Sequence, residues 1–472
     1  MEFYLLLVLM TAAIAALAGL LLLKTRHVGF PVGIGLLYYW SLYGAWSVVM
    51  DRTGGDSGKR YDYLLDKMFA IDLDGDYFLS LLFYSAFILV IEMTVICLIA
   101  RRVNSHHEIP DSPVCISHTF ILVLSGAAIS LSFLIMADQL ASATQLNISA
   151  YVATRGGLGE YHPLYTVHQL LNRLAAYALA MGLAVYLAGN AGRFVAGGRS
   201  SAVGGAYVGL LLCVFGFLAV LGNKNELFSA LLLGGIFYVT NTRQINWASA
   251  LPIGLLAFLA IGAINFLRSL PVLMLLDSGT WWEAVAQAPE IRSSNEAFAP
   301  HFSLYGVLHF NAALTYGDSF TALAASIVPR LFWPDRPEGT YVQYAESLGI
   351  YEGSTGQGYT VHHATGWYLN FGLGGLIVGA ILLGMIWSIC FNSHTDARSG
   401  DRRWQNVLAI VAPAGFVSAI PPLVRAGPDA YKGLIIEAFI IPTVIMLMAC
   451  VRWKEILRPA GRANSVLKRV SP

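Results

Sequence analysis

Charge is what this chain has least of. Only 12% of its 472 residues are Asp, Glu, Lys or Arg and 56% are hydrophobic, against about 25% and roughly 45–50% in an ordinary soluble domain. So few charges cannot clothe a soluble enzyme of this length, and that class is excluded. Cysteine is scarce as well. Cys97, Cys115, Cys213, Cys390 and Cys450 all stand in or beside apolar runs with no CxxC, which argues against a disulfide framework and against a thiolate-held metal. Neither charge sign is in excess, since the net charge is +1, and no Lys/Arg run precedes the C-terminal tail. Nucleic acid has no electrostatic footprint here.

Long apolar runs are abundant instead. They recur at 3–23, 28–50, 77–100, 114–136, 165–188, 202–222, 226–241, 246–267, 365–392, 404–424 and 431–451, most of them near the 20 or so residues that a bilayer-crossing helix needs. The expected fold is an all-α polytopic membrane protein of about 11 (10–12) transmembrane helices. The first run is too long and leucine-rich for a cleaved signal and is followed by Lys24 and Arg26, so it is read as a retained helix. With the turn at Lys24–His27 in the cytoplasm, about 16 of the 29 Lys and Arg fall in the cytoplasmic loops and the C-terminal tail, as the positive-inside bias requires. This places the N-terminus outside and the C-terminus in the cytoplasm.

Four parts follow from this division. Residues 1–267 carry spans one to eight, 268–364 form one long extracytoplasmic segment, 365–451 carry spans nine to eleven, and 452–472 are a basic cytoplasmic tail. The 226–241 run is short for a span, and the apolar patch at 318–333 suits a re-entrant or interfacial helix. A connection of nearly a hundred residues asks for a role. This one carries Trp281, Trp282, Trp333, Tyr341, Tyr344, Tyr351 and Tyr359, a density of aromatics suited to stacking on sugar rings or to lying in the membrane interface.

Two constellations on the outer side point to chemistry. Lys224, Arg268, Arg330, Arg336, Arg425 and Lys432 are cations placed on one face, which is what a polyprenyl-diphosphate donor needs as negative charge grows on its leaving group. Snorkelling to lipid headgroups is the simpler role for each one taken singly. At the entry to the ninth span, His362 and His363 stand at the water–membrane boundary, where an imidazole can take a proton from a sugar hydroxyl. Adjacent histidines lack the i,i+4 spacing of a helical ligand pair and no acidic third ligand is near in sequence, so no metal is expected. Within the spans the charges are Glu92, Arg173 and Glu437, and a carboxylate pairing with Arg173 would fix helix register.

The strings SIVPRLFWPDRPEG and YLNFGLGG, in that order after a long outer loop and a GNKNELFSALL turn, resemble the Wzy-type polysaccharide polymerases of bacterial envelopes across residues 205–450. The resemblance implies a GT-C-like, inverting, metal-independent glycosyltransferase of the bacterial cytoplasmic (inner) membrane without cofactor. Its donor is a glycan on undecaprenyl diphosphate and its acceptor a lipid-linked repeat unit, with a chain-length regulator and a flippase as partners. By the same resemblance Arg268, Arg330 and Arg336, with Lys224 or Arg425, hold the diphosphate. His362 or His363 serves the acceptor hydroxyl, and Trp333, Tyr341, Trp367 and Tyr368 hold sugars. Relatives often have an acidic residue just before the Tyr of the second string, where this chain has Gly366 and Trp367, and an arginine at Lys224. Asp335, Glu338 and His301 are therefore substitute bases. A lipid-linked oligosaccharide flippase and an O-antigen-ligase-like transferase are the competing readings. A transporter predicts hydropathy repeats and broken helices, whereas this chain shows no repeat and one large outer segment.

Overall fold

The computed structural model describes residues 2–53, 74–99, 114–143, 164–189, 194–196, 200–221, 224–242, 298–326, 339–348, 360–397 and 404–450, with Val328, Trp333 and Pro337. The eighth expected span (246–267) and the basic tail (452–472) lie outside them. Nine helices among the described residues are long and apolar enough to cross a membrane, and a shorter apolar helix covers Glu226–Asn241. The chain is a predominantly helical, multi-pass membrane protein.

In chain order the elements are α1 (Glu2–Thr25), α2 (Gly29–Tyr38), a π turn at Tyr39–Tyr43, α3 (Gly44–Thr53), α4 (Gly75–Leu98), β1 (Val114–Ile116), α5 (His118–Ala143) and α6 (Tyr165–Ala188). Then come β2 (Phe194–Ala196), α7 (Ser201–Leu221), α8 (Lys224–Asn241), α9 (Phe298–His309), α10 (Asp318–Ala325), α11 (Thr340–Ser347), α12 (His363–Asp396) and α13 (Trp404–Arg425). The last span runs from Gly427 through α14 (Ala430–Gly433) and a π segment at Leu434–Ile440 to α15 (Ile441–Ala449).

These sequences become helices because a bilayer offers no partner to a bare peptide group, so each segment must satisfy its own N–H and C=O. Burial then sorts the faces. In α1 the buried residues Leu7, Ile14, Ala18 and Leu21 recur at helical spacing and form one stripe, while Leu5, Leu9 and Leu23 are exposed, as suits side chains that meet lipid.

One end of the bundle is tied by a short ladder. β1 pairs in parallel with β2, Ile116 bridges Cys450, and Ser117 N–H donates to the Ala449 carbonyl at 2.8 Å. At that end Lys24 Nζ donates to Ile96 O at 2.7 Å and Asn392 Nδ2 to Leu98 O at 3.1 Å. The opposite end holds α9, α10, α11 and the turn at Ala426–Asp429.

Two elements near that end do not run straight through. α12 breaks at Phe371 and Gly372, where Gly372 has φ of +62°, a conformation that costs a residue with a Cβ about 1–2 kcal/mol. The stretch before the break folds back. A Cβ on Gly375 would strike the Trp367 carbonyl and one on Gly379 the Trp367 indole, although residues 367 and 379 stand about 18 Å apart in a straight helix. Helix α9 is a half-length companion. Its start meets Tyr84 and its last residue, His309, meets Asp74, so it lies antiparallel along the first half of α4.

Candidate functional site

Where the folded-back start of α12, the start of α9 and the turn after α13 meet, three buried histidines form one polar cluster. Ser41, in the π turn, joins two of them: His362 Nε2–H donates to Ser41 Oγ at 2.8 Å and His301 Nδ1–H to Ser41 O at 2.5 Å. Their other ring nitrogens are occupied. His362 Nδ1 accepts from Ala364 N–H at 3.0 Å, capping α12, and His301 Nε2 accepts from the Tyr77 hydroxyl at 2.9 Å. These partners assign one neutral tautomer to each ring.

His363 faces the other way. Its Nδ1–H donates to Gly427 O at 2.8 Å, and its Nε2 accepts from the Trp367 indole at 3.1 Å and the Tyr431 hydroxyl at 3.0 Å. Tyr84 closes the group, donating to Pro300 O at 2.9 Å and lying 3.2 Å from Thr365 Oγ1. Ser303 Oγ lies 2.8 Å from Thr365 Oγ1 and accepts from His362 N–H at 3.0 Å. Both members of the expected His pair are thus here, wholly buried, together with His301. Phe87 touches the rings of His362 and His363, which sets them about 18 Å along α4 from Gly75.

Beside this cluster lies a cavity of about 300 Å³ between α6, α13 and the last span, with Arg173, Asp429, Lys432 and Glu437 in its wall along with Tyr177 and Ser418. Its charges are tied on one side. Arg173 bonds Glu437 and reaches Glu226 at 3.5 Å, while Lys432 Nζ donates to Ser326 O at 2.6 Å and Asp429 Oδ2 accepts from Thr340 N–H at 2.7 Å. Two cations and two carboxylates therefore line one cavity whose remaining wall is mostly apolar. Comparison with protein-family models, curated proteins and solved structures gives no match.

The remaining expected site residues divide between these two regions and elsewhere. Arg425 stacks over Trp40, 5.4 Å from the ring centroid, and Lys224 opens α8. Trp367 is buried against His363, Tyr368 packs at a tilt against Phe83 with ring centroids 5.7 Å apart, and Trp333 is exposed. Tyr341 lies in α11. Arg268, Arg330, Asp335, Arg336 and Glu338 lie outside the described residues. Asp429, Tyr431, Ser41 and Tyr84 carry contacts that the sequence did not flag. Tyr and Ser inside an apolar run leave no trace in composition, and Asp429 sits in what reads as an ordinary turn.

A third group stands apart. The ligating atoms of Asp74, Asp76 and His309 all lie within 4.8 Å of one another.

Proposed function

We propose that this chain joins lipid-linked oligosaccharide repeat units on the outer face of a bacterial cytoplasmic membrane, as a Wzy-type polymerase using undecaprenyl-diphosphate-linked glycan as donor. The cavity walled by Arg173, Lys432, Asp429 and Glu437 carries the proposal. A polymerase needs cations for a leaving diphosphate and a carboxylate for an acceptor hydroxyl in one space beside the lipid, and this cavity supplies both.

In this reading the acceptor hydroxyl oxygen bonds to the anomeric carbon of the donor while the bond from that carbon to the diphosphate oxygen breaks. The electron pair leaves with the diphosphate, held by Lys432 and Arg173 together with Arg425, Lys224, Arg268, Arg330 and Arg336. The hydroxyl proton passes to Asp429. With both ring nitrogens of His362 and His363 already bonded, His363 serves by holding the turn that carries Asp429 and His362 by capping α12 and tying it to Ser41, and Asp335 is the other carboxylate for the proton. Trp333, Tyr341 and Tyr368 hold sugars from the rim, and Trp367 props His363.

A flippase of the same lipid-linked units is the second reading. The broken α12 and half-length α9 favour it, since interrupted helices are a transporter trait. One experiment separates the two. A deletion strain complemented with Lys432→Ala or Asp429→Asn is analysed for surface glycan and for lipid-linked intermediates. Single repeat units displayed on the outer leaflet with no long chains support the polymerase; units trapped on the cytoplasmic side support the flippase; full-length glycan from both variants removes the cavity from either mechanism.

A further inference from the structure

Asp74 caps α4 through Oδ1, which accepts from Tyr77 N–H at 2.8 Å, and this leaves Oδ2 turned toward α9. His309, the last residue of α9, places Nδ1 3.4 Å from Asp74 Oδ2 and 3.6 Å from Asp76 Oδ2. The Tyr305 hydroxyl, one helical turn earlier, lies 3.4 Å from Asp74 Oδ2 and 3.4 Å from His309 Nδ1. None of these separations is that of a direct charged hydrogen bond, which closes to about 2.7–2.9 Å. A tetrahedral ion with bonds of about 2.0–2.1 Å holds its donor atoms roughly 3.3–3.4 Å apart, and the two separations of His309 Nδ1 from the carboxylates lie close to that.

We infer that Asp74 Oδ2, Asp76 Oδ2 and His309 Nδ1 bind one divalent transition-metal ion of the size and coordination habit of zinc, with the Tyr305 hydroxyl at the fourth corner. The donor set supports that class. One imidazole nitrogen with carboxylate oxygens suits Zn²⁺ or Mn²⁺, whereas Ca²⁺ takes six to eight oxygens and Mg²⁺ holds most of its water. The ion would also resolve the local electrostatics. Two carboxylates two residues apart, with Asp72 preceding them in sequence, face an imidazole that carries charge only when protonated.

The site is structural. It joins the first turn of α4 to the last turn of α9 and so fixes α9 along α4, with His301 at the Ser41 contact. It takes no part in the proposed glycan transfer and stands or falls separately from it.

The test uses the full chain in detergent, purified through a tag free of histidine and stripped with a chelator. Zn²⁺ is titrated in competition with a chromophoric chelator, with Ca²⁺ and Mg²⁺ as comparison ions, and thermal unfolding is followed with and without Zn²⁺. The expected result is one Zn²⁺ per chain and a rise in unfolding temperature on adding it. Asp76→Asn and His309→Gln each weaken binding by about tenfold or more and abolish that rise. Asp76→Asn leaves the Asp74 cap in place, so it reads the ion even where His309→Gln disturbs packing. The inference is overturned if the wild type takes up no Zn²⁺, if Ca²⁺ or Mg²⁺ binds in preference, or if both variants bind Zn²⁺ as the wild type does. It is equally overturned if they lose the same stability with and without the metal, which is the behaviour of a plain His–Asp ion pair.

Discussion

The ion pair of Arg173 is open to test at the level of single side chains. Glu437→Gln leaves that guanidinium with Glu226 alone and should cost about 1–2 kcal/mol, discounted because both side chains are a quarter exposed. A double-mutant cycle with Arg173→Met should return a coupling of similar size. This pair was legible in the sequence because charges in the spans are so few that Arg173 had only two candidate partners. The histidine cluster was half legible: the His362–His363 dipeptide stood out, while its link to Ser41 and His301 depends on a helix start that no local pattern announces. Glu92 is not among the partners of Arg173, and its carboxylate oxygens have no hydrogen-bond partner among the described residues.

Helical elements were readable where lipid dictates length and hidden where the bundle does. The described spans fall where the apolar runs place them because each must cover the same hydrocarbon thickness with its own hydrogen bonds. The apolar run at 365–392 predicts one continuous span, whereas α12 breaks at Gly372. Gly375 and Gly379 admit a close neighbour, and that neighbour is Trp367 from the same helix, returned by the turn at Gly372. A glycine series cannot say which helix will approach it. Gly372→Ala should cost about 1–2 kcal/mol through its left-handed backbone, and Gly375→Leu about 1–3 kcal/mol by displacing the Trp367 carbonyl, both read as lowered unfolding temperatures in detergent. If the fold-back also holds Asp429 in place through His363 and Gly427, Gly375→Leu should shorten or abolish the glycan at equal protein level. Full-length product from a destabilised but expressed variant would detach the hairpin from the proposed chemistry.

At the scale of the whole molecule, the two ends differ in kind, and this turns orientation into a measurement. The ladder end is pinned by backbone contacts among β1, β2 and Cys450, and the turn with Lys24 and Arg26 lies at that end. The other end gathers the half-helices, the histidine cluster and the charged cavity. By the positive-inside bias the ladder end is expected in the cytoplasm, and the proposed polymerase requires the same arrangement, because its repeat units are joined after crossing the membrane. Cys115, exposed in β1, reports one end directly. In a chain with Cys97, Cys213, Cys390 and Cys450 replaced by alanine, a membrane-impermeant thiol reagent added to intact spheroplasts should leave Cys115 unmodified and should label it after lysis. The partner variant, Trp333→Cys in a chain that also lacks Cys115, should be labelled in intact spheroplasts, since Trp333 is exposed and follows in sequence on α10, an element of the opposite end. The reverse pattern would place the cavity in the cytoplasm, where lipid-linked repeat units are assembled but not yet polymerised, and would rule out the outer-face reaction whatever the cavity binds.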